Sequence, residues 1–163
     1  MGSSLMSGWT SSNNYIITVI DKKKYSILKN INRNKKIKFY KSINDINDLR
    51  NFDYIIFATR PLELKNVFKE LKIINFNKKT IAISVIAGKK TQIFENNLLN
   101  INKIVRVMPN MPALIGEGVH CIYTNKFINK KEIKDIDKLF SLSGKTLFFN
   151  NETFIDKATA VSG

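Results

Sequence analysis

Short apolar runs, rich in β-branched residues, recur along the chain with amphipathic stretches between them. Tyr15 to Ile20 (YIITVI), Ile37 to Tyr40 (IKFY), Tyr54 to Ala58 (YIIFA), Thr80 to Ile86 (TIAISVI) and Ile104 to Met108 (IVRVM) each have the length of a strand. Residues 118–124 and Thr146 to Phe149 (TLFF) add two more. Helical spacing appears in Leu62, Leu64, Val67, Phe68 and Leu71, with Pro61 in the first turn, and in Ile133, Ile136, Leu139 and Phe140. A short amphipathic segment runs through Tyr25, Ile27, Leu28 and Ile31, and a further helix is expected around Thr91 to Leu99. Strands that are apolar throughout, rather than alternating, need cover on both faces. The pattern therefore predicts an α/β fold, a doubly wound and mostly parallel sheet with helices on both sides.

The chain has 163 residues, enough for one domain with a real core, and carries 27 Lys+Arg against 13 Asp+Glu, a net charge of +14. Such an excess raises a nucleic-acid hypothesis. Yet Lys, Asn and Ile are over-used together, as AT-rich codons would produce. The lysines fall in small groups where turns are expected: Lys22 to Lys24, Lys35-Lys36, Lys78-Lys79, Lys89-Lys90 and Lys130-Lys131. No basic stripe interleaves with aromatics, so solvated element ends are the preferred reading and a nucleic-acid-binding remnant the alternative. Cys121 and His120 are each the only residue of their type. No disulfide framework, metal site or catalytic Ser/His dyad is expected, and His120 reads as a strand residue. No apolar run has the length of a membrane span, and the opening residues lack the order of a secretory signal, so a soluble cytoplasmic protein is expected.

Ligands of such sheets bind beyond the carboxyl ends of the strands. Those ends are Asp21, Thr59-Arg60-Pro61, Ala87-Gly88 and Pro109-Asn110. An acid at the end of a strand in a dinucleotide-binding sheet accepts hydrogen bonds from ribose hydroxyls, which points to NAD. The adjoining Lys22, Lys23 and Lys24 would instead neutralise a 2′-phosphate, which points to NADP. Asp21 also suits a plain helix cap. The segment RVMPNMPALIGEGVHCIYTN, Arg106 to Asn125, has two prolines three apart with an Asn between them, then a Gly-Glu-Gly turn. A connection so long and so constrained commonly carries function.

RVMPNMPALIGEG strongly resembles the corresponding stretch of the pyrroline-5-carboxylate reductases, which make L-proline. DYIIFATRPLELKNVFKEL, ISVIAGKK and DKATAVSG resemble further segments of that family in the same order. The resemblance implies a Rossmann-type cofactor domain over residues 1–150 and the start of a helical dimerisation and substrate domain over 151–163. It implies that Met1 and Gly2 end the phosphate-binding turn, and that Leu5, Met6 and Trp9 pack the helix after it. On this reading the opening MGSS is native rather than an expression tag, and the family's first strand and two turn glycines have no counterpart in the chain.

By the same resemblance, Asp21, Lys22, Asn44, Ala58, Thr59, Arg60, Pro61, Ala87, Gly88, Met108, Pro109 and Asn110 line the cofactor. Thr59 and Arg60 replace the family's usual Val and Lys. Glu152, Ser162 and Gly163 fall near the substrate, and no protein group is expected to act as a catalytic acid, base or nucleophile. The implied reaction is hydride transfer from NAD(P)H, with NADPH favoured, to the C=N carbon of 1-pyrroline-5-carboxylate, with homo-oligomerisation through the helical domain and little turnover by these 163 residues alone. A relative reducing another imine or a 2-oxo acid derivative is the nearer alternative.

Overall fold

Seven strands and six helices form among the residues that the computed structural model describes, namely 2–12, 14–31, 36–110 and 118–162. The strands are β1 (Ile17–Ile20), β2 (Ile37–Tyr40), β3 (Tyr54–Phe57), β4 (Ile81–Ser84), β5 (Ile104–Pro109), β6 (Gly118–Thr124) and β7 (Gly144–Phe149). The helices are α1 (Gly2–Ser11), α2 (Tyr25–Ile31), α3 (Leu64–Leu71), α4 (Thr91–Asn97), α5 (Lys130–Ser141) and α6 (Thr153–Ser162). Five strands form one sheet in the order β3-β4-β5-β6-β7, and β1 and β2 form a separate pair. All neighbours are parallel except β5 and β6. That reversal follows from chain length: only residues 110–117 join β5 to β6, too few for the crossover helix that a parallel step needs.

Apolar residues on the two faces of the sheet reach two cores. Ile81, Ile83, Val105 and Val107 meet Leu5 and Trp9 of α1 and Ile136, Leu139 and Phe140 of α5. Phe57, Ala82 and Ile104 meet Leu64, Phe68 and Leu71 of α3 and Phe94 of α4. Helices therefore cover both faces, as the unbroken apolar strands required. Phe57, Phe68 and Phe94 form a triangle with centroids 5.1–6.0 Å apart. The opening helix is integral to the fold. Leu5 and Trp9 are buried, Met6 is half-buried, and the Trp9 indole N–H donates to the Leu139 carbonyl at 2.9 Å.

The β1–β2 pair shares the first core through Tyr15 and Ile17, beside Tyr54 and Ile56 of β3. No ladder joins β1 to β3. Two side-chain relations nevertheless fix their relative sense. Tyr15 and Tyr54, at the strand starts, lie within electrostatic reach of one another. Beyond the strand ends, Lys23 Nζ lies 2.9 Å from Glu63 Oε1. The two strands therefore run the same way, and their carboxyl ends open on one edge of the molecule.

Observed boundaries differ slightly from the sequence expectation. Pro61 lies in a turn closed by Glu63 N–H to the Arg60 carbonyl, and α3 begins only at Leu64. Proline fixes φ for that turn as readily as for a first helical turn. Helix α4 stops at Asn97, where the Leu98 N–H closes onto the Phe94 carbonyl.

Candidate functional site

The carboxyl ends of β1, β3, β4 and β5 carry most of the residues singled out in the sequence. After β1, Asp21 Oδ1 accepts from the backbone N–H groups of Lys23 and Lys24 at 2.9 and 2.8 Å. The Tyr25 N–H reaches the Asp21 carbonyl at 3.0 Å. Asp21 thus braces the turn into α2, and both side-chain bonds use one carboxylate oxygen. Lys22, Lys23 and Lys24 are exposed around it.

Glu63 faces this turn from the segment after β3. Hydrogen bonding to Lys23 holds its carboxyl below the ordinary glutamate value, aided by the charges of Lys23 and Arg60 and opposed by burial and by Asp21. A small mixed-charge group, Asp21, Lys23, Arg60 and Glu63, therefore spans the opening between the two strand ends.

The start of α1 meets the end of β3. A Cβ built on Gly2 would lie 3.2 Å from the Ala58 Cβ, so helix start and strand end are in close approach. Next to Ala58, the Thr59 hydroxyl oxygen is buried without a hydrogen-bond partner. Arg60 and Pro61 are exposed. After β4, Ala87 and Gly88 are exposed, and Gly88 holds φ +69° with nothing near the position a Cβ would take. A glycine is needed there for the backbone alone.

At the end of β5, Pro109 is buried and Met108 and Asn110 are half-buried. Asn110 Oδ1 accepts from the Val119 N–H at 2.9 Å, tying the strand end to β6. Asn44 stands apart from this contact set. It is exposed in a short 3₁₀ turn, Ile43–Asp45, closed by a Ser42/Asp45 capping box.

Glu152 sits deeper. One carboxylate oxygen accepts from the Thr91 N–H at 2.8 Å and the other from the Thr91 hydroxyl at 2.9 Å, at the start of α4. Arg106 Nη1 reaches Glu152 at 3.2 Å, and Nη2 lies 2.8 Å from Asp156 of α6. Sequence reasoning misses Thr91, Arg106 and Asp156. The available signal was Arg106 itself, a guanidinium inside an otherwise apolar strand, which demands nearby carboxylates. Ser162 closes α6, but its side chain lies outside the described residues, as do Met1 and Gly163.

His120 is fully buried on β6, its Nε2 2.9 Å from the Ser143 hydroxyl, with Nδ1 buried and unpartnered. Burial pushes its pKa below the ordinary value, against a smaller opposing contribution from Ser143. Among the described residues no group of His, Cys, Asp and Glu is arranged to hold a metal ion. Among the same residues no helix is long and apolar enough to cross a membrane.

No family model matches the chain. The chain is 30% identical over 122 residues to a pyrroline-5-carboxylate reductase of Haemophilus influenzae, covering 75% of this chain and 45% of that protein. It is 34% identical over 113 residues to the pyrroline-5-carboxylate reductase of Aquifex aeolicus, covering 69% and 41%. Among solved structures, the pyrroline carboxylate reductase of Plasmodium falciparum, determined with NADP bound, superposes with a TM-score of 0.80 at 27% identity. That match covers 100% of this chain and 58% of the other. The chain thus spans under half the length of the curated relatives it matches.

Proposed function

We propose that this chain, a relative of the pyrroline-5-carboxylate reductases in sequence and fold, is the nicotinamide-dinucleotide-binding part of such a reductase. The observation that carries the reading is the approach of the α1 start to the end of β3, with Gly2 against Ala58 and the unpartnered Thr59 hydroxyl beside it. A helix start offers free N–H groups and a partial positive charge to a pyrophosphate. A side chain at Gly2 would crowd that approach, and the orphaned hydroxyl is a donor in want of an acceptor. The residues present fit the cofactor.

In this reading Gly2, Ala58, Thr59, Arg60 and Pro61 hold the pyrophosphate and nicotinamide ribose, while Asp21 and Lys22 receive the adenosine end. Asn44 lies toward the adenine. Ala87 and Gly88 abut the nicotinamide with no side chain larger than a methyl group in the way. Met108, Pro109 and Asn110 wall the cofactor from the substrate, and the Asn110 bond to Val119 keeps that wall in place. When bound, the cofactor supplies the hydride that reduces a C=N bond. The protein's own part is to align the two rings, exclude water and keep the strand ends fixed. Glu152, Ser162 and Gly163 belong to the substrate side, where 151–163 lead into a helical dimerisation domain.

The substrate is 1-pyrroline-5-carboxylate and the product L-proline, made in the cytoplasm; small molecules rather than nucleic acid are the partners. The lysines beside Asp21 favour NADPH.

A fluorescence titration with NADPH and NADH, using energy transfer from Trp9, checks the cofactor site. Saturable one-to-one binding with tighter NADPH is expected, and no saturation for either removes the reading. Oxidation of NADPH that depends on added 1-pyrroline-5-carboxylate, by the protein purified from its own source, checks the reaction. Cofactor binding with turnover only on a different imine or 2-oxo acid would reassign the substrate.

A further inference from the structure

The Lys23–Glu63 pair joins the two segments flanking the opening between β1 and β3 through side chains of opposite charge. Lys23 belongs to the turn braced by Asp21, and Glu63 to the turn set by Arg60 and Pro61. Their charged atoms are 2.9 Å apart, with the lysine side chain 74% and the glutamate 43% exposed. An ion pair so open to water is weak and readily exchanged. Its importance lies in what it occupies. Lys23 would be a free ammonium at the strand end where a dinucleotide's adenosine ribose is received, and Glu63 engages it instead. Asp21 is turned to its own backbone, one carboxylate oxygen accepting from the N–H groups of Lys23 and Lys24, and the Lys23 ammonium lies with Glu63.

We propose that Glu63 is a specificity-determining residue that competes with the ribose 2′-phosphate of the cofactor for Lys23. A 2′-phosphate, with about two negative charges and three acceptor oxygens, displaces one carboxylate from an ammonium; a bare 2′-hydroxyl does not. Glu63 therefore taxes binding of the phosphorylated dinucleotide and leaves the unphosphorylated one untouched. The inference rests on the dinucleotide-binding reading above, and refines it: the lysines after β1 confer the preference for a 2′-phosphate, and Glu63 sets its size.

The test uses two fragments of the cofactor, 2′,5′-ADP and 5′-AMP, titrated calorimetrically into the full chain. Four versions are compared: wild type, Glu63→Gln, Lys23→Met and the double variant. Both sites are exposed, so all four should fold, and circular dichroism checks that they do. Glu63→Gln is expected to tighten 2′,5′-ADP by about three- to fivefold, and to change 5′-AMP by less than about twofold. With Met at position 23 the same Glu63 substitution should bring no gain. An equal gain for both nucleotides, or a gain that survives loss of Lys23, overturns the proposal in favour of a general field effect. Unchanged ratios with intact binding overturn it as well. Failure of every version to bind either nucleotide instead removes the underlying dinucleotide reading.

Discussion

His120 shows how much one buried side chain can say about acid sensitivity. Its Nε2 is bonded to Ser143, its Nδ1 has no partner, and the Phe140 ring lies edge-on at 5.5 Å between centroids. Burial disfavours a second proton and outweighs the smaller support from Ser143, so the pKa is lowered. The unfolded chain binds a proton near the ordinary value of about 6.5, whereas the folded chain does so only at lower pH. Stability from this group is complete above that value and falls as pH drops toward the folded pKa. Urea unfolding at pH 7 and pH 5.5 should therefore show a lower midpoint at the acid end, and His120→Gln should lose most of that difference. An equal pH dependence in the variant would clear His120 of the role. Gly144 makes a sharper demand. It holds φ +150°, and a Cβ there would lie 2.1 Å from the Gly118 carbonyl oxygen on the paired strand. Gly144→Ala should cost roughly 3 kcal/mol in thermal unfolding, because the clash is with backbone and cannot be turned aside.

Between elements, the heaviest polar traffic runs through Arg106. Val105 and Val107 point to the core beneath α1 and α5, so strand alternation sends Arg106 to the opposite face, toward α4 and α6. There its guanidinium gathers Glu152 and Asp156, and Glu152 in turn caps the first turn of α4 through Thr91. One side chain thus joins β5, α4 and α6. Arg106→Met leaves two carboxylates facing an apolar strand and should cost about 3 kcal/mol. Arg106→Lys should recover little, since one ammonium cannot serve both acids from two separate nitrogens. Hydrogen exchange then gives the structural signature, with amides of 153–157 losing protection before those of β4.

The strands and helices themselves were legible because continuous apolar runs and 3.6-residue spacing are local signals. The Arg106 cluster was not, because its members come from positions 91, 106, 152 and 156 and meet only through the fold. Glu152 was expected near the substrate from resemblance alone; its observed bonds to Thr91 and Arg106 give it a bracing part that no local pattern announces. From the sequence, Asp21 suits both a ribose acceptor and a helix cap. The structure shows the cap, made with one oxygen, and leaves the ribose reading to the cofactor titration.

At the scale of the whole molecule the sheet is divided, and the division has a dynamic consequence. β4 is buried from Ile81 to Ser84, flanked by hydrogen-bonded neighbours on both sides. β1 is only half-buried from Ile17 to Val19, with Ile20 43% exposed, and it pairs with β2 alone. A two-stranded ladder is marginal by itself. What holds this one is the shared core beneath α1 and α5, to which Tyr15 and Ile17 contribute beside Tyr54 and Ile56. Burial raises the Tyr54 hydroxyl pKa to about 12, with Asp135, Tyr15, Asp53 and Glu132 adding to the rise. The β1–β2 pair should then open without the larger sheet. Native-state hydrogen exchange is expected to rank amides of 17–20 and 37–40 well below those of 81–84 and 104–107, in a separate unit of lower opening free energy. Trp9 ties α1 to α5 within the shared core through its bond to Leu139 and its edge-on contact with Phe140. Trp9→Ala should therefore lower global stability by about 3–5 kcal/mol, and in the same measurement should bring the two exchange units closer together. One uniform opening energy for all four strands of the wild-type chain would show that the divided sheet nonetheless folds as a single cooperative body.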